Sequence, residues 1–182
     1  MGTTDATVHL RPVTQSDADA RAALGISANI NRMYGAVTST APRMSPDQAQ
    51  RWLHRLQTHP HAWIIAADDT LVGEVRLDDL NPVDRRARLA IGLYHDSHLG
   101  HGIGRKAINL VLAQAFGPLG LHRVDLRVLA CNLRAIRCYQ SCGFVHEGIE
   151  RQSACVDGNW QDDWIMSILE HEFHGLIANT TI

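Results

Sequence analysis

What this chain of 182 residues lacks narrows it before any motif is read. Its 17 lysines and arginines are set against 19 aspartates and glutamates, a formal net charge of −2, so the basic footprint of a nucleic-acid binder is missing. No apolar run approaches the length of a membrane span, which argues against a membrane partner. The first residues, MGTTDATVHL, lack a cationic start followed by an apolar stretch, and Ala6 spoils the myristoylation pattern that Gly2 suggests. A cytoplasmic location is therefore expected. There is no internal repeat, low-complexity tract or linker, and the length suits one domain spanning 1–182, with the residues after Glu170 expected to fray.

Metal and disulfide frameworks are also wanting. Four cysteines (Cys131, Cys138, Cys142 and Cys155) in a chain without an export signal are read as reduced and structural. Of eleven histidines, His95, His98 and His101 recur every third residue, and His171 and His174 sit in EHEFH. The latter misses the HExxH spacing by one residue, so no metal site is expected.

What is present is a regular succession of strands and helices. Residues 7–13, TVHLRPV, alternate like a half-buried strand, and TQSD at 14–17 resembles a capping box opening a helix toward Ile26. Residues 27–43 have mixed composition with turn residues. SPDQ at 45–48 supplies an N-cap serine, a first-turn proline and a glutamine at the third helical position, predicting a helix over 46–57 whose apolar face carries Trp52, Leu53 and Leu56. Residues 62–67, 71–80 and 85–94 form a three-strand meander. A helix over 102–116 is marked by Ile103, Ala107, Leu110, Val111 and Ala115. Then come a strand at 122–129, a helix over 132–142 stopped by Gly143, and two strands joined by a DG turn. The order is that of an α/β protein with a mixed sheet.

Between the meander and the long helix lies LGHGIGRKAI. Glycines at alternate positions before a helix start let a ligand approach backbone amides that already sit at the positive end of the helix dipole. An anion cradle for a phosphate or pyrophosphate is the functional reading, and a flexible loop the plain one. A dinucleotide-binding GxGxxG fits poorly, because Arg105 takes the last glycine's place and Asp125 falls in mid-strand; a Walker loop fits poorly, because GRKA replaces GK followed by Ser or Thr.

At these residues the chain resembles the GCN5-related N-acetyltransferases, and within them the ribosomal-protein alanine and spermidine acetyltransferase groups. The resemblance runs from LRPVTQSDADA through GHGIGRKAI to HRVDLRVLACNLRAIRCYQSCGFVHEG. It implies a mixed, mostly antiparallel sheet of about seven strands flanked by about four helices, and transfer of an acetyl group from acetyl-coenzyme A to a primary amine of a small molecule or a peptide end, with a homodimer allowed. The family's pyrophosphate loop maps onto Leu99, Gly100, His101, Gly102, Ile103 and Gly104, with Arg105 adding a charge-assisted bond. The pantetheine arm would run beside a splayed strand end at Leu93 and Tyr94, whose amides also suit the thioester carbonyl. Asn132 would contact the arm, although its place before LRAIRCY fits a helix N-cap equally well. Tyr139 matches the general acid that protonates the departing thiolate; packing on a helix with a satisfied hydroxyl is its plain alternative.

Two positions depart from the family. Leu99 stands where Arg or Gln usually opens the loop, which removes a side chain but no amide. Arg88 stands where related enzymes often carry a glutamate that helps deprotonate the amine. Glu74, Asp79 and His95 are substitutes acting through water, although acidic residues on a hairpin are mostly solvated. These departures leave open a relative that binds acetyl-coenzyme A or a partner without transferring the acetyl group. Arg76, Arg85, Arg86 and Arg88 further suggest an acceptor bearing a carboxylate or phosphate, solvation of an exposed strand face being the alternative.

Overall fold

In the computed structural model, residues 6–25, 27–34 and 43–174 are described. Strands β1 (Val8–Arg11), β2 (Ala62–Ala67), β3 (Thr70–Asn81), β4 (Arg86–Leu93), β5 (Arg123–Leu129), β6 (Val145–Val156) and β7 (Asn159–Leu169) form one seven-stranded sheet in the order β1-β2-β3-β4-β5-β7-β6. Every neighbouring pair is antiparallel except β4 and β5. This is the expected α/β architecture, with five described α-helices where about four were expected: α1 (Asp17–Ala23), α2 (Ala28–Met33), α3 (Pro46–Thr58), α4 (Ile103–Phe116) and α5 (Leu133–Ser141).

The additional helix, α2, falls in the stretch that composition left unassigned. Its Ser27 cap accepts from the Ile30 amide at 3.1 Å, but only Ile30 is buried, so the six residues carry no readable apolar period. Two further expectations change. Helix α1 stops at Ala23, and Ser16 makes no side-chain cap; instead Asp17 accepts from the Thr14 amide and hydroxyl at 2.7 and 2.9 Å. Fraying is not seen directly after Glu170 in the described residues. Residues 170–174 form a helical turn, with Phe173 buried against Phe116 at 5.4 Å between ring centres. Residues 1–5, 26, 35–42 and 175–182, which include Gly2, Ile26 and the end of the tail, lie outside the described residues.

Two apolar layers sandwich the sheet. Helix α4 buries Ile103, Ala107, Ile108, Val111, Leu112, Ala115 and Phe116 against one face, each large side chain there contributing about 1.5–3 kcal/mol. Leu110, expected on that stripe, is 38% exposed, because the burying face is centred on 108, 111 and 112. On the other face α1 and α3 pack Ala18, Trp52, Leu53 and Leu56 over Ile64 and Leu71. The α3 capping box forms as expected: Ser45 Oγ accepts from the Gln48 amide at 3.2 Å and Gln48 Oε1 from the Ser45 amide at 2.7 Å. Among the described residues no helix is long and apolar enough to cross a membrane.

The sheet parts along one line. β4 and β5 pair only at Arg86 with Arg123, Ala87 with Val124 and Arg88 with Asp125, and then diverge while β5 stays on β7 along its whole length. The opening left between them is where the site lies.

Candidate active site

A cleft of about 1400 Å³ runs from the α4 N-terminus through the β4/β5 opening to the β3–β4 hairpin. Its end at the glycine loop is mostly backbone. Gly100 and Gly102 have φ of +82° and +74°, and a Cβ on either would meet nothing within 4 Å, so backbone conformation rather than crowding requires glycine there. Gly102 caps α4 without a side chain, and the first intrahelical bond runs from the Lys106 amide to the Gly102 carbonyl. The amides of Ile103, Gly104 and Arg105 are left to an incoming anion.

The surrounding side chains sort themselves by partner. Leu99 closes the preceding 3₁₀ turn, its amide on the Asp96 carbonyl at 3.0 Å. His101 and Arg105 are exposed on the rim, and the Arg105 guanidinium makes no ion pair among the described residues. Lys106 instead donates to the Ala6 carbonyl at 2.8 Å. Asn132 Oδ1 accepts from the Ala135 amide at 3.2 Å, which makes it the N-cap of α5, and the residue lines the cleft.

Strand β4 supplies the free edge. The Tyr94 amide bonds to the Val72 carbonyl at 3.0 Å, and alternation along the ladder then turns the backbone groups of Leu89, Ile91 and Leu93 toward the absent β5. Leu93 therefore lies on the free edge, as expected. The Tyr94 amide does not: it is spent in the sheet, and the side chain points into a polar cluster, with its hydroxyl on Glu74 Oε2 at 2.5 Å and Arg21 4.0 Å above its ring.

Tyr139, on α5, lines the cleft with its ring edge against Phe144 and its hydroxyl on no protein partner among the described residues. Burial, then the neighbouring Tyr34, Cys138 and Cys142, push the phenol well above its ordinary range, so it carries its proton at working pH.

None of the three substitute bases is arranged as one. Glu74 is not solvated on an exposed hairpin, as expected, but 8% exposed. It accepts from Trp52 Nε1 at 2.6 Å, Tyr94, Arg55 at 3.0 Å and Arg76. Burial alone would raise its pKa; Arg55, the two hydrogen bonds and Arg76 outweigh burial and hold the carboxyl below its usual range. Asp79 sits exposed at a register break, 3.8 Å from Arg88, and His95 turns its Nδ1 to Ser97 at 2.8 Å.

The hairpin arginines are not a free cationic patch either. Arg85 donates to the Gly120 carbonyl at 2.7 Å and Arg86 lies 3.4 Å from Asp84, both away from the cleft. Arg76 and Arg88 do line it. Arg76 holds Asp78 at 3.1 Å, and Arg88 Nε donates to Asp125 Oδ1 at 2.9 Å, across the last residue pair before the strands part. Arg127 binds Asp163 at 3.1 Å in the same way. Asp125, Asp163 and Tyr34 escaped sequence reading, since partners 36 to 57 residues away leave no local signal.

The geometry is a helix N-terminus with open amides, a free strand edge and a phenol lining the opening. The family of acetyltransferase (GNAT) domains matches residues 7–145. The chain belongs to the GNAT acetyltransferase family. A probable N-acetyltransferase, YjcK of Bacillus subtilis, is 29% identical over 173 residues, covering 90% of this chain and 94% of the relative. Spermidine N(1)-acetyltransferase of Vibrio cholerae is 35% identical over 107 residues, covering 59% and 61%. A crystal structure of the Vibrio cholerae spermidine N-acetyltransferase with CoA and spermine superposes with a TM-score of 0.77 at 26% identity, covering 92% of this chain and 98% of that one. Like its family, the protein transfers the acetyl group of acetyl-coenzyme A to an amine.

Proposed function

We propose that this N-acetyltransferase acts by direct transfer on a small-molecule or peptide amine of low basicity that carries an acidic group, rather than on a polyamine. In this reading residues 99–105 hold the pyrophosphate, the free edge at Ile91 and Leu93 and the Asn132 amide hold the arm, and Tyr139 protonates the departing thiolate.

The observation that carries the acceptor class is the Arg88 to Asp125 pair, which stands where a base is wanted. Glu74, Asp78 and Asp163 in the cleft each face a guanidinium, as does Asp125 beside it, so among the described residues no cleft carboxylate is free to take a proton or to bind a second ammonium. An alkylammonium of pKa about 10.4 needs about 4 kcal/mol to become a nucleophile at pH 7.5, whereas a peptide α-ammonium of pKa about 8 needs about 0.7 kcal/mol. A cleft without a base suits the second. Arg88, which lines the cleft and commits only its Nε to Asp125, suits a carboxylate on the same molecule.

The test compares kcat/KM for spermidine, an aminoglycoside, a panel of amino acids and short peptides over pH 6–9. Amino acids or peptides should lead by at least tenfold at pH 7.5, with a profile that rises through the acceptor's own amine pKa. Preference for spermidine, the acceptor named for the Vibrio protein, overturns the reading.

A further inference from the structure

Tyr34 ends helix α2, far from the glycine loop in sequence, yet its hydroxyl reaches the β4/β5 opening. It donates to the Ile91 carbonyl at 2.8 Å, on the same free edge that faces the missing neighbour strand. The approach is from the face opposite α4. Even-numbered β4 residues point to the α1 and α3 side, where Tyr94 meets Trp52, and the hydroxyl fills the place a side chain on Gly92 would take: a Cβ there would lie 1.5 Å from Tyr34 Oη. Gly92 is thus the vacancy into which Tyr34 fits.

Two anchors hold the phenol there. Asp96, beside the coenzyme loop, accepts from Ser27 Oγ at 2.5 Å and Asn29 Nδ2 at 2.9 Å, which ties the start of α2 to the site. The end of α2 is tied by Tyr34 itself. The two phenols, Tyr34 and Tyr139, line one cleft and interact electrostatically. They differ in what they can still do. Tyr139 has an uncommitted O–H, whereas the hydrogen of Tyr34 is committed to Ile91 and only its oxygen lone pairs face the cleft.

We propose that Tyr34 is the acceptor-side partner of Tyr139: its oxygen accepts an N–H from the entering amine and turns the nitrogen lone pair toward the thioester carbon. The nitrogen forms the new C–N bond, the C–S bond breaks, and the thiolate takes the Tyr139 proton. The surplus proton on nitrogen leaves through water and restores Tyr139. Orientation of this kind acts on the attacking group and leaves coenzyme binding alone. It rests on the cleft being the transfer site and is independent of which amine enters.

The test is Tyr34→Phe, assayed with whichever acceptor the panel ranks first. The ring and its packing remain, and one hydrogen bond to the amine is lost. We expect kcat/KM for the acceptor to fall about tenfold with acetyl-coenzyme A affinity within twofold of wild type by calorimetry. Gly92→Ala, which drives the phenol off the carbonyl, should give the same acceptor loss. An unchanged acceptor kcat/KM in Tyr34→Phe, or a loss confined to coenzyme affinity, overturns the proposal. The ranking of acceptors by wild type tests the acceptor class separately, because the Tyr34→Phe ratio is taken on one acceptor.

Discussion

The two ends of the cleft are made of different material. The end proposed for the coenzyme is backbone: two left-handed glycines, the open amides of α4 and the free edge of β4. The end proposed for the acceptor is side chain: Arg76 with Asp78, Arg88 with Asp125, Arg127 with Asp163, and Tyr34 over Gly92. A backbone site binds any ligand carrying the same phosphates, so it suits the half of the reaction that never changes. A site of paired side chains is remade by one substitution on each strand. Arg88 facing Asp125 is such a pair, and acceptor choice is expected to vary there while the coenzyme half stays constant.

That contrast can be broken most severely at the chemistry joining the two halves. Tyr139→Phe should lower kcat about a hundredfold, because a general acid acts when thiolate forms. The KM for acetyl-coenzyme A should barely move. An unchanged kcat removes Tyr139 from the mechanism. Next in size is the backbone itself. Gly102→Val forces a β-branched residue to a φ of +74° at the α4 cap, and coenzyme affinity measured by calorimetry should fall at least tenfold, whereas acceptor ranking should not change. A changed ranking with intact affinity would mean that the two halves are not separable.

The same contrast explains what could be read from sequence. The glycine loop, the capping box at Ser45 and the α4 stripe are local patterns, in which the residues that cooperate are neighbours in the chain. Glu74 was misread as solvated because three of its partners come from α3 and from the residue after β4: Trp52, Arg55 and Tyr94 lie 19 to 22 residues away. Tyr34 was invisible for the same reason, since its role depends on Gly92 lacking a side chain 58 positions later. Arg88 stands out by comparison with the family, but only the sheet register reveals Asp125 opposite it.

The smallest expected effect marks the boundary of both halves. Ser45→Ala removes one cap bond from α3, the helix that carries Trp52 and Arg55 to Glu74, and should cost about 1 kcal/mol in urea unfolding. The capping bond is remote from the chemistry. Neither coenzyme affinity nor acceptor kcat/KM should shift beyond twofold; a larger shift would show that α3 tunes the acceptor end through Glu74.

The parting of β4 from β5 has a mechanical side. Three residue pairs join β1–β4 to β5–β7 within the sheet, and α4 spans the remainder of the seam, so the two blocks are the natural units of partial opening. A coenzyme arm lying along Ile91 and Leu93 closes that seam with the hydrogen bonds of an extra strand. Occupancy then becomes a cohesive force: resistance to heat and to protease should rise with coenzyme concentration, and the slowing of amide hydrogen exchange on binding should be concentrated along β4 beyond Arg88.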